Sequence, residues 1–515
     1  MQMKRIFLLS LGLMLDLSCL LAGAPGSGSP AHASNARSCP SEEQALGSQP
    51  SAAVTLTLSD VIAMAQENSP AAQAARHSFR SSYWSWRNYR ASLLPALSLS
   101  SSPYLNRTTD IVALGDGSEV YVRHNNLKTD LTLDLTQSVG LTGGTLSVKS
   151  AARRLDLLGG ATTYNLQPLT VTYSHDLIGY NAKRWDHRIE PIRYREARKE
   201  YAETMELVAS QASSYFFNVA LAQTNLEIAL QNQAAADTLY RMARGRYDIG
   251  TITENELLQL ELNKLSEESN VISARVSLDE AEDYLLSYLN RKEEGHITVV
   301  CDSVIPLFTV PLDDAMERAR QESPDVDYRE IQRLQSEENL AYAKANARLK
   351  ANIYMQLGLA QTGDDIIHTA HDLMDEQYVS VGVSLPILDW GRGRGQVQMA
   401  RSNLDLVNLQ NEQSAMNFER SVIKAVTQFN LQSGRVVLAQ KTMDTAMRRY
   451  EVARHLYVSG RSTILDLNAA ISEKDSAYRG YINSLATYWS LYYTLRSMTK
   501  YDFQWNLPIA YEYDI

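Results

Sequence analysis

The chain repeats itself. Leu58-Ser-Asp60 and Ala65 through Ser69-Pro70 recur as Leu312-Asp-Asp314 and Ala319 through Ser323-Pro324, at an offset of 254. Tyr240, Ala243, Arg244, Tyr247, Gly250, Thr253 and Leu257 recur as Tyr450, Ala453, Arg454, Tyr457, Gly460, Thr463 and Leu467, at an offset of 210. Seven identities in one ungapped register define two homologous halves, about 51–300 and 306–505. The offsets differ by 44, so the first half is longer by about 44 residues between Pro95 and Val171. Any fold for this chain must accept one unit twice, with one insertion.

Both halves read alike. A helix opens each, 58–91 or 312–348, with Ser59 or Asp313 as the expected cap. Alternating segments follow: Leu97-Ser-Leu99-Ser and Tyr354 to Leu359, then Val171-Thr-Tyr173-Ser and Val379 to Leu385. Period two with one greasy face predicts strands. Long stretches nearly free of Gly and Pro, 188–247 and 394–458, predict helices of roughly 100 Å at about 1.5 Å per residue. Gly250 and Gly460 break them, and return helices follow over 253–290 and 463–499. In the insertion, Leu131 to Leu135 and Val139 to Val148 look like a further hairpin. Larger loops, packing near a sheet and additional strands all remain open for it.

Lys4 and Arg5, the apolar run from Ile6 and the small-x-small Ala31-His32-Ala33 predict an export signal over 1–33. A flexible linker would cover 34–50. Acylation at Cys19 or Cys39 lacks the expected preceding pattern. Beyond this segment no run of 18 apolar residues exists, so a membrane could be entered only through strands in a closed barrel. Two hairpins give four strands per chain, and about eight are needed for closure. Either several chains share a barrel, three supplying twelve strands, or the hairpins form a small soluble sheet.

The opening Leu58-Ser-Asp-Val-Ile-Ala-Met-Ala-Gln-Glu-Asn-Ser-Pro70, with Arg90 to Leu99 after it, resembles the outer membrane efflux protein family, the TolC-like channels. Val381-Gly-Val-Ser-Leu-Pro-Ile-Leu-Asp-Trp-Gly-Arg392 is similar to that family's strand-to-helix junction. Tyr457-Val-Ser-Gly-Arg-Ser-Thr-Ile-Leu-Asp-Leu-Asn468 is similar to its periplasmic helix-turn-helix tip. The resemblance spans about 51–505. It implies a mostly α fold with a β-barrel part: two tandem repeats, antiparallel coiled-coil helices forming a periplasmic tunnel, and a homotrimer sharing a twelve-stranded outer membrane barrel. Repeat 1 would cover 51–300, a linker 301–311, repeat 2 312–505 and a tail 506–515. The implied role is an exit duct docked on a periplasmic adaptor and an inner-membrane transporter of RND or ABC type, with outer membrane lipid around the barrel.

The resemblance also points to residues. Six positions after the glycines come Glu256 and Asp466, with Glu254 nearby. Around a threefold pore these would form carboxylate rings that favour cations. Equally, they are acids at helix starts, where the dipole stabilises them. Tyr247, Tyr457, Arg244, Arg246, Arg454 and Arg461 are candidates for tip-closing contacts; exposed pairs contribute only about 0–1 kcal/mol each, which suits a gate. Gly250, Gly460, Thr253 and Thr463 mark the hinge and the adaptor-docking turn. Pro386, Gly391 and Gly393 mark the bend from sheet into helix. Gly391-Arg-Gly-Arg-Gly395 lacks the spacing of a dinucleotide loop.

Composition closes other routes. With 49 Lys+Arg against 59 Asp+Glu the formal net charge is -10, which argues against a nucleic-acid binder. Three cysteines make no disulfide scaffold, though Cys39 and Cys301 could pair in an oxidising compartment. His368 and His371 beside Asp364, Asp365 and Asp372 read as a solvated loop, not a metal site. No nucleophile–base arrangement is specified by spacing, so neither an enzyme nor a cofactor is expected. The competing class is a periplasmic coiled-coil scaffold or adaptor that forms no channel. Such a protein has no use for greasy outward strand faces.

Overall fold

The computed structural model describes residues 54–511 apart from 114, 116, 141, 292–296, 302–304, 307 and 460. The chain divides into units at 1–51 and 52–515, and all described residues belong to the second. The expected signal and linker, with Cys19 and Cys39, lie outside them, as does Gly460.

Each repeat opens with two helices, not the one expected. They are α1 (Leu58–Asn68) and α2 (Pro70–Ser92), and in the second copy α5 (Leu312–Glu322) and α6 (Pro324–Asn346). Ser69 and Ser323 adopt extended backbone, as a residue before proline prefers, and each caps the helix that follows. The first caps are also both shifted by two residues from expectation. Thr57 forms a capping box with Asp60, so Ser59 is already helical, and Pro311 precedes α5 without a side-chain cap.

The long helices are α3 (Ala182–Asp248) and α8 (Arg392–Val458), 67 residues each and therefore about 100 Å long. Return helices α4 (Glu254–Tyr288) and α9 (Ile464–Thr499) pack along them. A single apolar seam explains the pairing. Val208, Ala209, Ala212, Phe216 and Val219 on α3 recur at three and four, as do Val422, Ala425, Val426 and Phe429 on α8 and Ile482, Leu485, Tyr488, Tyr492 and Leu495 on α9. These faces form one core, in which the Phe429 ring centroid lies 5.2 Å from that of Tyr488 and 6.3 Å from that of Tyr492. Alanine at the seam lets the axes approach closely, while Leu258, Leu262, Leu265, Leu406, Leu409 and Leu438 stay exposed on the helices' outer faces. Strand β1 (Val54–Thr57) pairs in parallel with β7 (Ile297–Val300), joining the two ends of the first repeat. No described helix is long and apolar enough to cross a membrane.

The sheet departs from expectation. Its strands are β2 (Ala96–Ser101), β3 (Tyr104–Ala113), β4 (Glu119–Val139), β5 (Gly144–Leu157), β6 (Thr162–Ile178), β8 (Lys350–Gly363) and β9 (Met374–Ser384). They run β2-β4-β5-β6-β8-β9, every pair antiparallel, with β3 also on β4. Both β2 and β3 face β4, along different stretches of it, and Ser102 donates its N–H to the Asp130 carbonyl between them at 3.2 Å. They are thus one stave interrupted at Pro103. The chain supplies six staves, not four, because the insertion contributes β4 and β5 to the sheet itself. The expectation of four strands per chain, on which the count of twelve rested, is corrected to six staves. A register shift between Leu166 and Leu169 accommodates Pro168, which cannot donate to a ladder.

Candidate functional site

At the end of the helical hairpins far from the sheet, each repeat turns on a short loop. In the first, Gly250 takes φ +73°, a left-handed conformation that glycine adopts without strain. Thr251 then donates to the Arg246 carbonyl, and Thr253 caps α4. The Thr253 N–H reaches a Glu256 carboxylate oxygen at 3.1 Å, and the Glu256 N–H reaches the Thr253 hydroxyl at 3.3 Å. The second turn repeats this chemistry: Thr463 caps α9, its hydroxyl donating to Asp466 at 2.7 Å, with Ser462 adding a bond at 3.1 Å. These bonds, led by the Thr463 hydroxyl and helped by Arg449, hold the Asp466 carboxyl below its usual range. The capping box accounts for an acid at both equivalent positions without any pore. Glu254, in the first turn of α4, is exposed and takes no part in the box.

Beneath the turns lies a small core drawn from both repeats: Leu239, Ala243 and Leu260 against Leu467, with Tyr457, Tyr240 and Tyr450 packed on it. Tyr457 is thus half-buried, whereas Tyr247 is 40% exposed. The side chains of Arg244, Arg246, Arg454 and Arg461 make no ion pair with any described residue. The pairs form farther from the turn: Asp237 binds Lys264 at 3.0 Å and also Arg241, and Arg449 binds Glu473. Sequence reading missed one repeated device here. Lys264 sits over the Tyr240 ring at 5.5 Å, and Lys474 over Tyr450 at 4.6 Å. Both partners are related by the offset of 210, so self-comparison carried the signal. Between α8 and α9 a groove of about 980 Å³ runs past Arg449, Glu473, Ala477 and Gly480.

At the opposite end the chain bends from β9 into α8. Pro386 lies two residues past Ser384, the last ladder residue. Gly391 stands at the N-cap with φ +85° and has no side chain to cap with. Asp389 supplies the cap instead, accepting from the Gly391 and Gly393 N–H groups at 3.0 and 2.8 Å. At Gly393 a Cβ would meet the Ala347 Cβ at 3.1 Å, so α6 approaches closely there. Around this bend Ile387 is 92% and Trp390 90% exposed. His368 pairs with Asp365 at 2.6 Å in the short helix α7 (Ile366–His371), and no group of three or more metal-ligating side chains occurs among the described residues.

A second cluster was not legible in the sequence. Glu206 on α3 is fully buried and meets Arg496 on α9 at 2.9 Å, while Arg496 also meets Asp502 at 3.0 Å. Tyr511 donates to Glu206 at 2.5 Å, which pins the carboxy-terminal segment to the helices. Burial works to depress the Arg496 guanidinium, but Glu206, Tyr492 and Asp502 hold it above its ordinary value.

The sheet has two unlike faces. Leu97, Leu99, Leu135, Leu146, Leu169, Leu357, Val379, Val381 and Val383 all point to one side, and each is exposed. Ser98, Thr136, Ser147, Thr172, Gln356 and Ser380 occupy the other. An apolar outer face opposite a polar one is the pattern of a membrane barrel wall.

Residues 315–497 match the family model described as outer membrane efflux protein. None of the curated proteins matches the chain. Among solved structures, the CmeC outer membrane channel of Campylobacter jejuni superposes with a TM-score of 0.62 at 15% identity, covering 95% of this chain and 96% of that one. VceC, an outer membrane protein of Vibrio cholerae, gives 0.59 at 14% identity, with 86% and 95% covered. The open state of the MtrE outer membrane channel of Neisseria gonorrhoeae gives 0.59 at 14%, with 86% and 88% covered. The second repeat thus resembles the outer membrane efflux protein family over residues 315–497, and the chain as a whole takes the fold of these outer membrane channels.

Proposed function

We propose that this protein is the outer membrane exit duct of an efflux or type I secretion assembly, acting as a homotrimer. One observation carries the reading: a sheet with a continuous exposed apolar face on one side and a polar face on the other stands at one end of helices about 100 Å long. In water such a face would exceed what a soluble protein leaves bare; in lipid it is a barrel wall. A soluble scaffold would not need it. The helices then extend into the periplasm, and their tips meet a periplasmic adaptor attached to an inner-membrane transporter of RND or ABC type. The duct is passive, and the transporter selects the cargo.

At the tips, the threefold axis would bring Glu254, Glu256 and Asp466 of three chains around the passage. The carboxyl groups of Glu256 and Asp466 are held in place by their caps. Glu254 is free to face the lumen. Arg244, Arg454 and Arg461, without acidic partners among the described residues of their own chain, would reach across to neighbours beside Tyr247 and Tyr457 and hold the tip shut. Adaptor docking at the turns of Gly250, Thr253, Gly460 and Thr463 would rotate the helix pairs and break these weak contacts. Pro386, Gly391 and Gly393 set the fixed bend between wall and tunnel. The test is extraction of the mature protein from outer membranes in mild detergent, followed by light scattering. A trimer is expected; a soluble periplasmic monomer would overturn the reading.

A further inference from the structure

The insertion in the first repeat changes the wall of the duct. We infer that the unpaired edges of the sheet, the β2–β3 stave and β9, bind further copies of this same chain, and that three copies close a barrel of eighteen strands. The inference rests on the trimeric duct proposed above, but its new content is the contribution of β4 and β5 to the wall.

Three observations carry it. First, β4 and β5 are inserted between the staves that would otherwise be neighbours, with ladders on both sides. Residues 126–139 of β4 pair with 144–157 of β5, and β5 pairs in turn with β6 from Thr145 to Asp156. A hairpin folded over a loop or lodged in a lumen would not hold both ladders. Second, the apolar face continues through the insertion. Leu131, Leu133 and Leu135 on β4 and Leu146 and Val148 on β5 share the side of Val171, Leu357 and Val379. Their alternates Asp130, Asp134, Ser147, Lys149 and Arg153 share the polar side, where Asp134 accepts from Ser147 at 2.6 Å and Asp130 from Arg153 at 2.5 Å. Third, the apolar band climbs across the ladder. It centres on Val381, opposite Ile353, at one edge, and on Leu99, whose row meets β8 near Leu359, at the other. That drift, roughly one residue per strand, is the stagger a tilted, closed barrel requires.

The occupant of the edges follows from the same geometry. In lipid an open edge leaves unpaired N–H and C=O groups, so both edges must be covered by strands. Six staves are too few to close on themselves, since about eight are needed. Because six is even, β9 of one chain runs antiparallel to β2 of the next, and a seam between copies continues the ladder without reversing its sense. Barrel diameter grows roughly linearly with strand number, so eighteen strands make an exit about half as wide again as twelve.

Electron cryomicroscopy of the full-length protein, extracted from outer membranes, counts both chains and strands. Three chains with eighteen strands, β9 seated on the neighbour's β2, is the expected result. Three chains with twelve strands in the wall and β4–β5 outside it would overturn this inference and leave the duct standing. Two chains closing twelve strands would overturn the threefold closure. A soluble monomer would overturn the duct reading, and the barrel with it.

Discussion

Replacing Asp327 with asparagine tests how the two repeats are locked together. Asp327 lies on α6 of the second repeat, and its side chain is 5% exposed. Two cations of α3 in the first repeat reach it: Lys199 at 2.9 Å and Arg195 at 2.7 Å. Burial works to raise the Asp327 carboxyl, but the Arg195 and Lys199 hydrogen bonds prevail and hold it below its usual range. The two partners are not equal. Arg195 is more than half exposed, so its pair contributes only about 0–1 kcal/mol. Lys199 is 15% exposed, and losing its counter-charge falls under the about 3–5 kcal/mol of a broken buried pair. Lys199 keeps the Gln321 carbonyl as an acceptor, which places the sum at the lower end, about 2–3 kcal/mol. At about 2.1 cal/mol/K per residue the unfolding entropy is roughly 1 kcal/mol/K, so Asp327→Asn should lower Tm by about 2–3 °C if the chain melts as one unit. Helical circular dichroism in detergent, at matched heating rates, reads the shift. The sign with pH is fixed. A depressed carboxyl stabilises above its unfolded value, about 4, and loses that contribution as pH falls through its folded value. The gap between variant and wild type should therefore close towards pH 3. Equal melting at pH 7, or a gap unchanged at pH 3, would refute the reasoning. The double replacement Lys199→Met with Asp327→Leu should recover much of the loss, because the one charge it leaves unpaired, Arg195, is more than half exposed.

Other perturbations separate the remaining assignments. Arg496→Met strands the buried Glu206 carboxylate and should cost about 3 kcal/mol or more, with faster proteolytic trimming of the segment around Tyr511. Glu256→Gln keeps the capping box, since glutamine also serves there, so melting should hold while cation selectivity in planar bilayers falls; unchanged selectivity removes the ring assignment. Leu133→Arg should cost about 2–4 kcal/mol and deplete the assembled protein in outer membranes, whereas Thr132→Arg, on the polar face, should be tolerated. Equal yields of these two would take β4 out of the lipid-facing wall. Gly391→Ala forces a side chain into a left-handed conformation with open space around it, so about 1 kcal/mol is expected, and no more.

Several features were legible because they are local. The apolar alternation of Val379 to Val383 needs only the period of a strand, and the long helices need only the absence of Gly and Pro. The repeat offsets located the insertion and both tip turns. Others required information that no window contains. Ser69-Pro70 does split the opening helix, a consequence of proline geometry that the apolar pattern overrode in the reading. The acids at the tips drew attention as charges, while their bonds to Thr253 and Thr463 show that the helix ends themselves call for an acid. Arg496 and Glu206 are 290 residues apart, and nothing in either neighbourhood announces the pair.

The sequence by itself determined the twofold repetition, the alternation of greasy strands with long helices, and the glycine turns, because each depends on neighbours a few residues away. Only the tertiary structure decided what the insertion becomes. Leu131 to Leu135 and Leu146 to Val148 could have lain in a loop as readily as in a wall, since period two fixes two faces but not a partner. Ladder pairing fixes the partner. It sets β5 on β6 and β4 on β2, brings their leucines into one face with those of the second repeat, and makes six staves where the repeats alone would have made four.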